Sequence, residues 1–201
     1  FYVIFLGKAL QTTVPPDGSV STAKIADDAV NLTSKVTGVL PIANGGTGHS
    51  TLYPQIALIT DTKSQNTAGG TFTSGAWQTR TLNTESSDLN NICSLSSNIF
   101  TLSSGTYLIE WTAPAYDVER NQSRLYDTTN SAVIQYGSSN YTSSGNDVQN
   151  STFGSANVVI SSNTGYRIEH RAQNSKNTQG FGVESNLATE IYTQVKIMKI
   201  G

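Results

Sequence analysis

Tyr116, Tyr141 and Phe181 offer flat apolar ring faces. Asp117, Arg120, Asn140, Asp147 and Lys176 offer hydrogen-bonding groups in the same three stretches, 114–122, 137–155 and 173–190. Rings set among amides, carboxylates and cations suit sugars, because a ring face can cover one side of a pyranose while polar groups replace water on its hydroxyls. Each such exchange gains little net free energy, so a single site of this kind is weak and repetition strengthens it. Residues for bond-breaking chemistry do not accompany them. There is no Gly-x-Ser-x-Gly elbow, and His49 and His170 are the only histidines. Asp117 and Glu119 could hold a cation or act as a carboxylate pair, but loop acids of this kind are ordinarily solvated. Histidine, cysteine and carboxylate never recur at zinc spacing, and no EF-hand loop is present. The expectation is a protein that is not an enzyme, with no cofactor and no metal.

One stretch imitates a nucleotide site. Gly46-Thr47-Gly48-His49-Ser50-Thr51 resembles the end of a phosphate-binding loop, but His49 stands where that loop needs lysine and Ala43 where it needs glycine. Cys93 is the only cysteine, so no intrachain disulfide can form. Charged residues make up 13% of the chain and the net charge is −2. There is no basic footprint for a phosphate backbone, which argues against nucleic acid as a partner. No apolar run reaches the ~18 residues of a membrane span.

The elements that must position these residues are strands. Candidates lie at 56–60, 76–82, 99–102, 106–113, 123–127, 132–136, 157–161, 166–172 and 191–200, each bounded by turn residues, and no helix competes. Many short strands with polar turns predict an all-β jelly-roll sandwich. Strand alternation puts Tyr107, Ile109, Trp111 and Ala113 on one face. It likewise puts Tyr166, Ile168, His170 and Ala172 together, opposite Arg167, Glu169 and Arg171. This reading makes Trp111 a core anchor and His170 a core or interface histidine. The first and last strands are apolar on both sides. In the last, Ile191, Val195 and Ile197 face one way, and Tyr192, Met198 and Ile200 face the other. A second dry face calls for another layer, and sister chains supply it most economically. The connections alternate short and long, which would gather 114–122, 137–155 and 173–190 at one tip. If the first and last strands pair antiparallel, the chain enters at the opposite end.

A thinner segment precedes this tract. Phe1 to Leu6 is an apolar run without a basic leader, and Pro15, Pro16 and Gly18 break the pattern after it. Ile25, Ala29, Leu32, Val36 and Val39 then recur at spacings of 4, 3, 4 and 3, the rhythm of a coiled-coil seam. A lone helix this short is marginal in water, so the pattern implies bundled copies. Leu40 to Gly48 follows, with proline and three glycines in four residues, and neither helix nor strand survives such a run. The chain reads as a stalk and joint at 1–48 and a head at 49–201. It lacks an initiator methionine and is expected to be the C-terminal part of something longer. Three copies should meet through Ile25, Leu32 and Val36 in the stalk and Tyr192, Met198 and Ile200 in the head.

Two stretches carry a resemblance. Residues 17–48, with Ala23-Lys24-Ile25-Ala26-Asp27-Asp28-Ala29-Val30 and Asn44-Gly45-Gly46-Thr47-Gly48, resemble the shaft end of bacteriophage tail fibres. Phe100-Thr101, Gly105-Thr106-Tyr107 and the last strand, Ile191-Tyr192-Thr193-Gln194-Val195-Lys196-Ile197, resemble trimeric heads of the complement and tumour-necrosis-factor type. The resemblance implies an extracellular virion component, a homotrimeric jelly-roll head on a short stalk of helical or extended segments. Such a head attaches to a bacterial surface receptor, a glycan or an outer-membrane receptor, and joins other virion tail proteins on its N-terminal side. A purely structural virion or trimerisation domain and a cellular extracellular trimeric adhesin are the alternatives. A polysaccharide-cleaving tailspike finds neither a carboxylate pair nor a β-helix repeat to support it.

Overall fold

The computed structural model describes residues 54–143 and 145–200, together with isolated positions 2, 7, 25, 38 and 46. The strand expected at Phe1 to Leu6, the heptad-spaced stretch with Leu32 and Val36, the joint and His49 therefore lie outside the described residues; Ile25, an isolated position, is exposed.

Among the described residues, eleven strands build two sheets. One has the order β3-β1-β11-β6-β9, formed by β3 (Thr84–Asp88), β1 (Gln55–Lys63), β11 (Glu190–Lys199), β6 (Gly105–Tyr116) and β9 (Gln149–Ile160). The other has the order β4-β5-β10-β7-β8, formed by β4 (Cys93–Ser96), β5 (Ile99–Leu102), β10 (Thr164–Ala172), β7 (Glu119–Asp127) and β8 (Ala132–Thr142). The short β2 (Gln78–Thr79) pairs with β10. Every pairing is antiparallel, and the chain changes sheet at every connection except β4–β5 and β7–β8. This is the expected jelly-roll sandwich.

The core follows the alternation. Tyr107, Ile109, Trp111 and Ala113 meet Tyr166, Ile168, Phe100, Leu125, Val195 and Ile197, all buried. The indole Nε1 of Trp111 donates to Ser123 Oγ at 2.9 Å, which satisfies the one polar atom of the largest core side chain. Gly154 of β9 lies flat against that ring, since a Cβ there would come within 1.9 Å of Trp111 Cζ2. Pairing of Gln55 with Lys199 sets the start of β1 beside the end of β11, as expected for a chain entering opposite the β10–β11 connection.

Three expectations need correction. Residues 114–122 are not a long loop: β6 runs through Pro114 to Tyr116 and β7 begins at Glu119, leaving only Asp117 and Val118 between them. Proline is tolerated there because β6 pairs with β11 only as far as Thr112, while its pairing with β9 continues to Tyr116, so this stretch is locally an edge. Residues 137–155 shrink likewise to 143–148, because β8 and β9 are long strands in which Ser, Asn, Gln and Gly interrupt the apolar alternation. Of the three stretches only the β10–β11 connection, 173–189, is long, and the β1–β2 connection, 64–77, is a second long one.

The third correction concerns β11. Thr60 pairs with Gln194 and Thr62 with Ile191, so β11 carries one extra residue, a bulge. The bulge reverses the alternation. Ile191 is exposed, Tyr192 and Thr193 are both buried, and Val195 and Ile197 point into the core.

Candidate functional site

The expected recognition residues separate into three groups. Tyr116, Asp117, Asp147 and Lys176 satisfy one another. Asp117 pairs with Lys176 at 2.5 Å and accepts from the Gly145 amide, and the Tyr116 hydroxyl donates to Asp147. Lys176 Nζ also lies 5.1 Å from the Tyr116 ring centroid. The Lys176 hydrogen bond, helped by the Gly145 amide against some burial, holds Asp117 below its ordinary pKa. Asp147 pushes the Tyr116 hydroxyl up to about 12. These residues tie the β6–β7, β8–β9 and β10–β11 connections together. Asp117 and Glu119 do not act as a pair: Asp117 is taken by Lys176, and Glu119 by the Tyr141 hydroxyl.

Phe181 belongs to a small second core with Phe72, Ala115, Val118 and Ala172, and is not an open sugar platform. The 173–189 connection is sewn to the segment after β1 by backbone bonds, among them Phe72 to Lys176 in both directions and Phe181 N to Gly70 O at 3.0 Å. Gly69 is required here, because a Cβ would sit 2.7 Å from the Phe181 carbonyl carbon. Beneath lies Arg80, fully buried, its guanidinium 4.1 Å from the Phe181 ring centroid. Its Nε donates to Thr193 Oγ1 at 2.7 Å and its Nη2 to Phe181 O at 2.8 Å. Burial lowers the Arg80 pKa to about 9, with Asp61 opposing the shift. His170 is the core histidine expected: Nε2 sits 3.1 Å from Asn121 Oδ1, and burial with the nearby Arg80 charge drives its pKa well down. Tyr192 is also internal, donating to Thr67 O at 2.7 Å and packing against Gly182, so it leaves the proposed assembly face.

Arg120, Asn140 and Tyr141 come together. They line a groove of about 930 Å³ on the outward face of the second sheet, at the end where β8, β7 and β10 approach the connections. Two cross-strand rows form its floor: Tyr141 beside Arg120, and Ser139 beside Gln122 beside Arg171. Trp77, just before β2, lines it too. This indole is fixed from below by Arg124, whose guanidinium lies 4.1 Å from the ring centroid, and it tilts against Tyr136 at 5.9 Å. Arg124 is itself held by Glu169 at 2.5 Å. Trp77, Gln122 and Arg171 were not among the residues expected from sequence. Arg171 stood on the outward side of the 166–172 alternation and was legible as exposed; no sequence signal marks Trp77.

Among the described residues, Glu85, Asp88 and Cys93 bring ligand-type atoms within 4.8 Å of one another, a grouping that sequence spacing does not show. Asp88 already accepts from the amides of Ile92 and Cys93, and burial with the two acids pushes the Cys93 thiol up to about 12. A protonated thiol is a poor ligand and nucleophile, so the turn itself accounts for the grouping.

No family model and no curated protein matches the chain. Solved structures do. Eiger TNF from S. frugiperda superposes with a TM-score of 0.52 at 10% identity, covering 74% of this chain and 93% of that one. Murine APRIL at pH 5.0 gives 0.49 at 8% identity over 74% and 100%, and the globular domain of zebrafish complement 1qA gives 0.48 at 15% identity over 73% and 98%. The Eiger likeness shows a jelly-roll fold of the tumour-necrosis-factor type.

Proposed function

We propose that the chain is a non-enzymatic recognition head that assembles as a homotrimer and ends a bacteriophage tail fibre, attaching it to a bacterial surface receptor, a glycan above all. One observation carries the assembly: the outward face of the first sheet. Register lines up Ile56, Met198 and Leu108 in one row, and Leu58, Lys196 and Glu110 in the next. Val159 is 85% exposed on β9 and Phe153 59%, with Ile200 exposed beyond β11. A soluble chain rarely leaves so much of one face apolar unless something covers it. Identical copies meeting head to tail close most simply into a ring.

The tail-fibre assignment is supported by residues 17–48 of the sequence, with the N-terminal side as the contact to other virion tail proteins. The jelly-roll fold also supports a second reading, a cellular extracellular trimeric adhesin. Light scattering at micromolar concentration tests the assembly, with an expected mass of three times 21.4 kDa. Pull-down of bacterial cells against animal cells separates the two readings. A stable monomer would overturn the trimer, and absence of bacterial binding would overturn the fibre.

A further inference from the structure

We propose that the groove across β7, β8 and β10 takes a carboxylate-bearing sugar, a uronic-acid-type unit of a surface polysaccharide. This rests on the recognition-head reading and narrows it to one ligand class and one place. Arg124 and Arg167, lower on the same sheet face, are both engaged by Glu169. In the groove, Arg171 has no ion pair or hydrogen bond among the described residues, and Arg120 donates only to Gln173 Oε1, at 2.9 Å. The groove lining contains no Asp or Glu, and the adjoining Glu119 is bonded to the Tyr141 hydroxyl.

Acids outnumber bases in this chain, 14 against 12, so two guanidinia without an acidic partner in one concave site make a local exception. A guanidinium meets a planar carboxylate through two parallel charge-assisted bonds, a match that an ammonium does not offer. Stacking comes from Trp77, which Arg124 and Tyr136 hold in place before any ligand arrives. Gln122 and Asn140 supply amides for hydroxyls. A neutral sugar would use the rings and amides but leave both guanidinia without a counter-charge, whereas a uronate uses all of them.

Calorimetric titration of the full chain with tetragalacturonate and with neutral maltotetraose tests this. The uronate should bind about tenfold or more tighter than the neutral sugar, the difference expected of one charge-assisted pair. Arg171→Gln and Arg120→Gln, both at exposed positions, should each erase most of that preference while melting like the parent. Trp77→Phe should weaken both sugars together. Equal affinity for the two sugars would overturn the inference. So would an unchanged Arg171→Gln variant, or equal binding of polyglutamate, which would mean charge attraction without a sugar site. Cell binding that neither tetragalacturonate nor Arg171→Gln diminishes would sink the acidic-sugar inference and leave the recognition head standing. Tetragalacturonate binding without any cell binding would do the reverse.

Discussion

The two sheets turn very different faces outward. On the first, Ile56, Phe153, Val159 and Ile200 stand exposed among the polar side chains of Gln194, Ser155 and Asn157 and one exposed ion pair, Lys196 and Glu110 at 3.3 Å. On the second, Arg124 stacks on Trp77 and Tyr126, Arg167 on Tyr126, and Glu169 ties the two arginines together. One alternation rule builds both. It decides which side chains leave the core, and chemistry decides what they meet outside. A face with large exposed apolar side chains suits another copy of the same surface, whereas a face of guanidinia, amides and pinned rings suits a polar ligand.

The sharpest way to break this contrast is a charge on each face in turn. Met198→Asp should abolish assembly, because each buried apolar side chain contributes about 1.5–3 kcal/mol and the ring repeats the loss in every subunit. Tyr136→Asp, on the other sheet, should leave the mass unchanged. Size-exclusion with light scattering reads both, and the reverse result would exchange the roles of the faces.

A second substitution asks how far the first sheet depends on its inner side. Gly154→Ala would drive a methyl into the Trp111 ring, and overpacking of this kind is destabilising by about 1–3 kcal/mol. A lowered midpoint in urea is expected, with the slope unchanged. An unaltered midpoint would show that the β9 backbone yields freely there.

The second sheet should reveal its inner side through pH. His170 is packed against Phe72, bonded to Asn121 and near the Arg80 charge, and its folded pKa lies well below the ordinary 6.5. The unfolded chain therefore takes up a proton that the folded chain refuses, and stability falls as pH drops below about 6.5, by at most about 1.4 kcal/mol per pH unit. Burial raises the pKa of nearby Asp61, which acts with the opposite sign. The measurement is thus the difference between the parent and His170→Gln from pH 7 to 5. Parallel curves would mean that His170 protonates without cost. The smallest effect belongs to the surface pair: Glu110→Gln should change the stability of the isolated head by less than about 1 kcal/mol, since exposed pairs are weak. A larger change in chemical denaturation would show that Lys196 and Glu110 are already desolvated.

Sequence made the inner faces legible. The spacing of Tyr107, Ile109, Trp111 and Ala113, and of Tyr166, Ile168 and His170, is enough to identify two half-buried strands, because period two leaves no other way to bury those side chains. The outer edges were not legible. β3 contains only Thr, Glu, Ser and Asp and pairs without an apolar pattern, β4 alternates Cys93 and Leu95 with serines over only four residues, and the second half of β8 and the first half of β9 look like loops because polar residues predominate there. The bulge that buries Tyr192 is one added residue, invisible to a periodicity count. Of the residues expected to serve recognition, Arg120, Asn140 and Tyr141 do share a surface, but Trp77, which lines the same groove, is brought there by a backbone path from outside β7 and β8. Phe181 was misread because an aromatic in a long connection can cap a small core as readily as it can face solvent.

Hydroxyl-radical footprinting across protein concentration tests the division of labour between the two faces most directly. Met198 is the only methionine in the chain, so its oxidation reports the first sheet without ambiguity. With rising concentration, Met198 and Phe153 should become protected together, while Trp77, Tyr136 and Tyr141 keep reacting at a constant rate. Constant oxidation of Met198, or protection of Trp77 and Tyr141 in its place, would contradict the assignment of assembly to one face and recognition to the other.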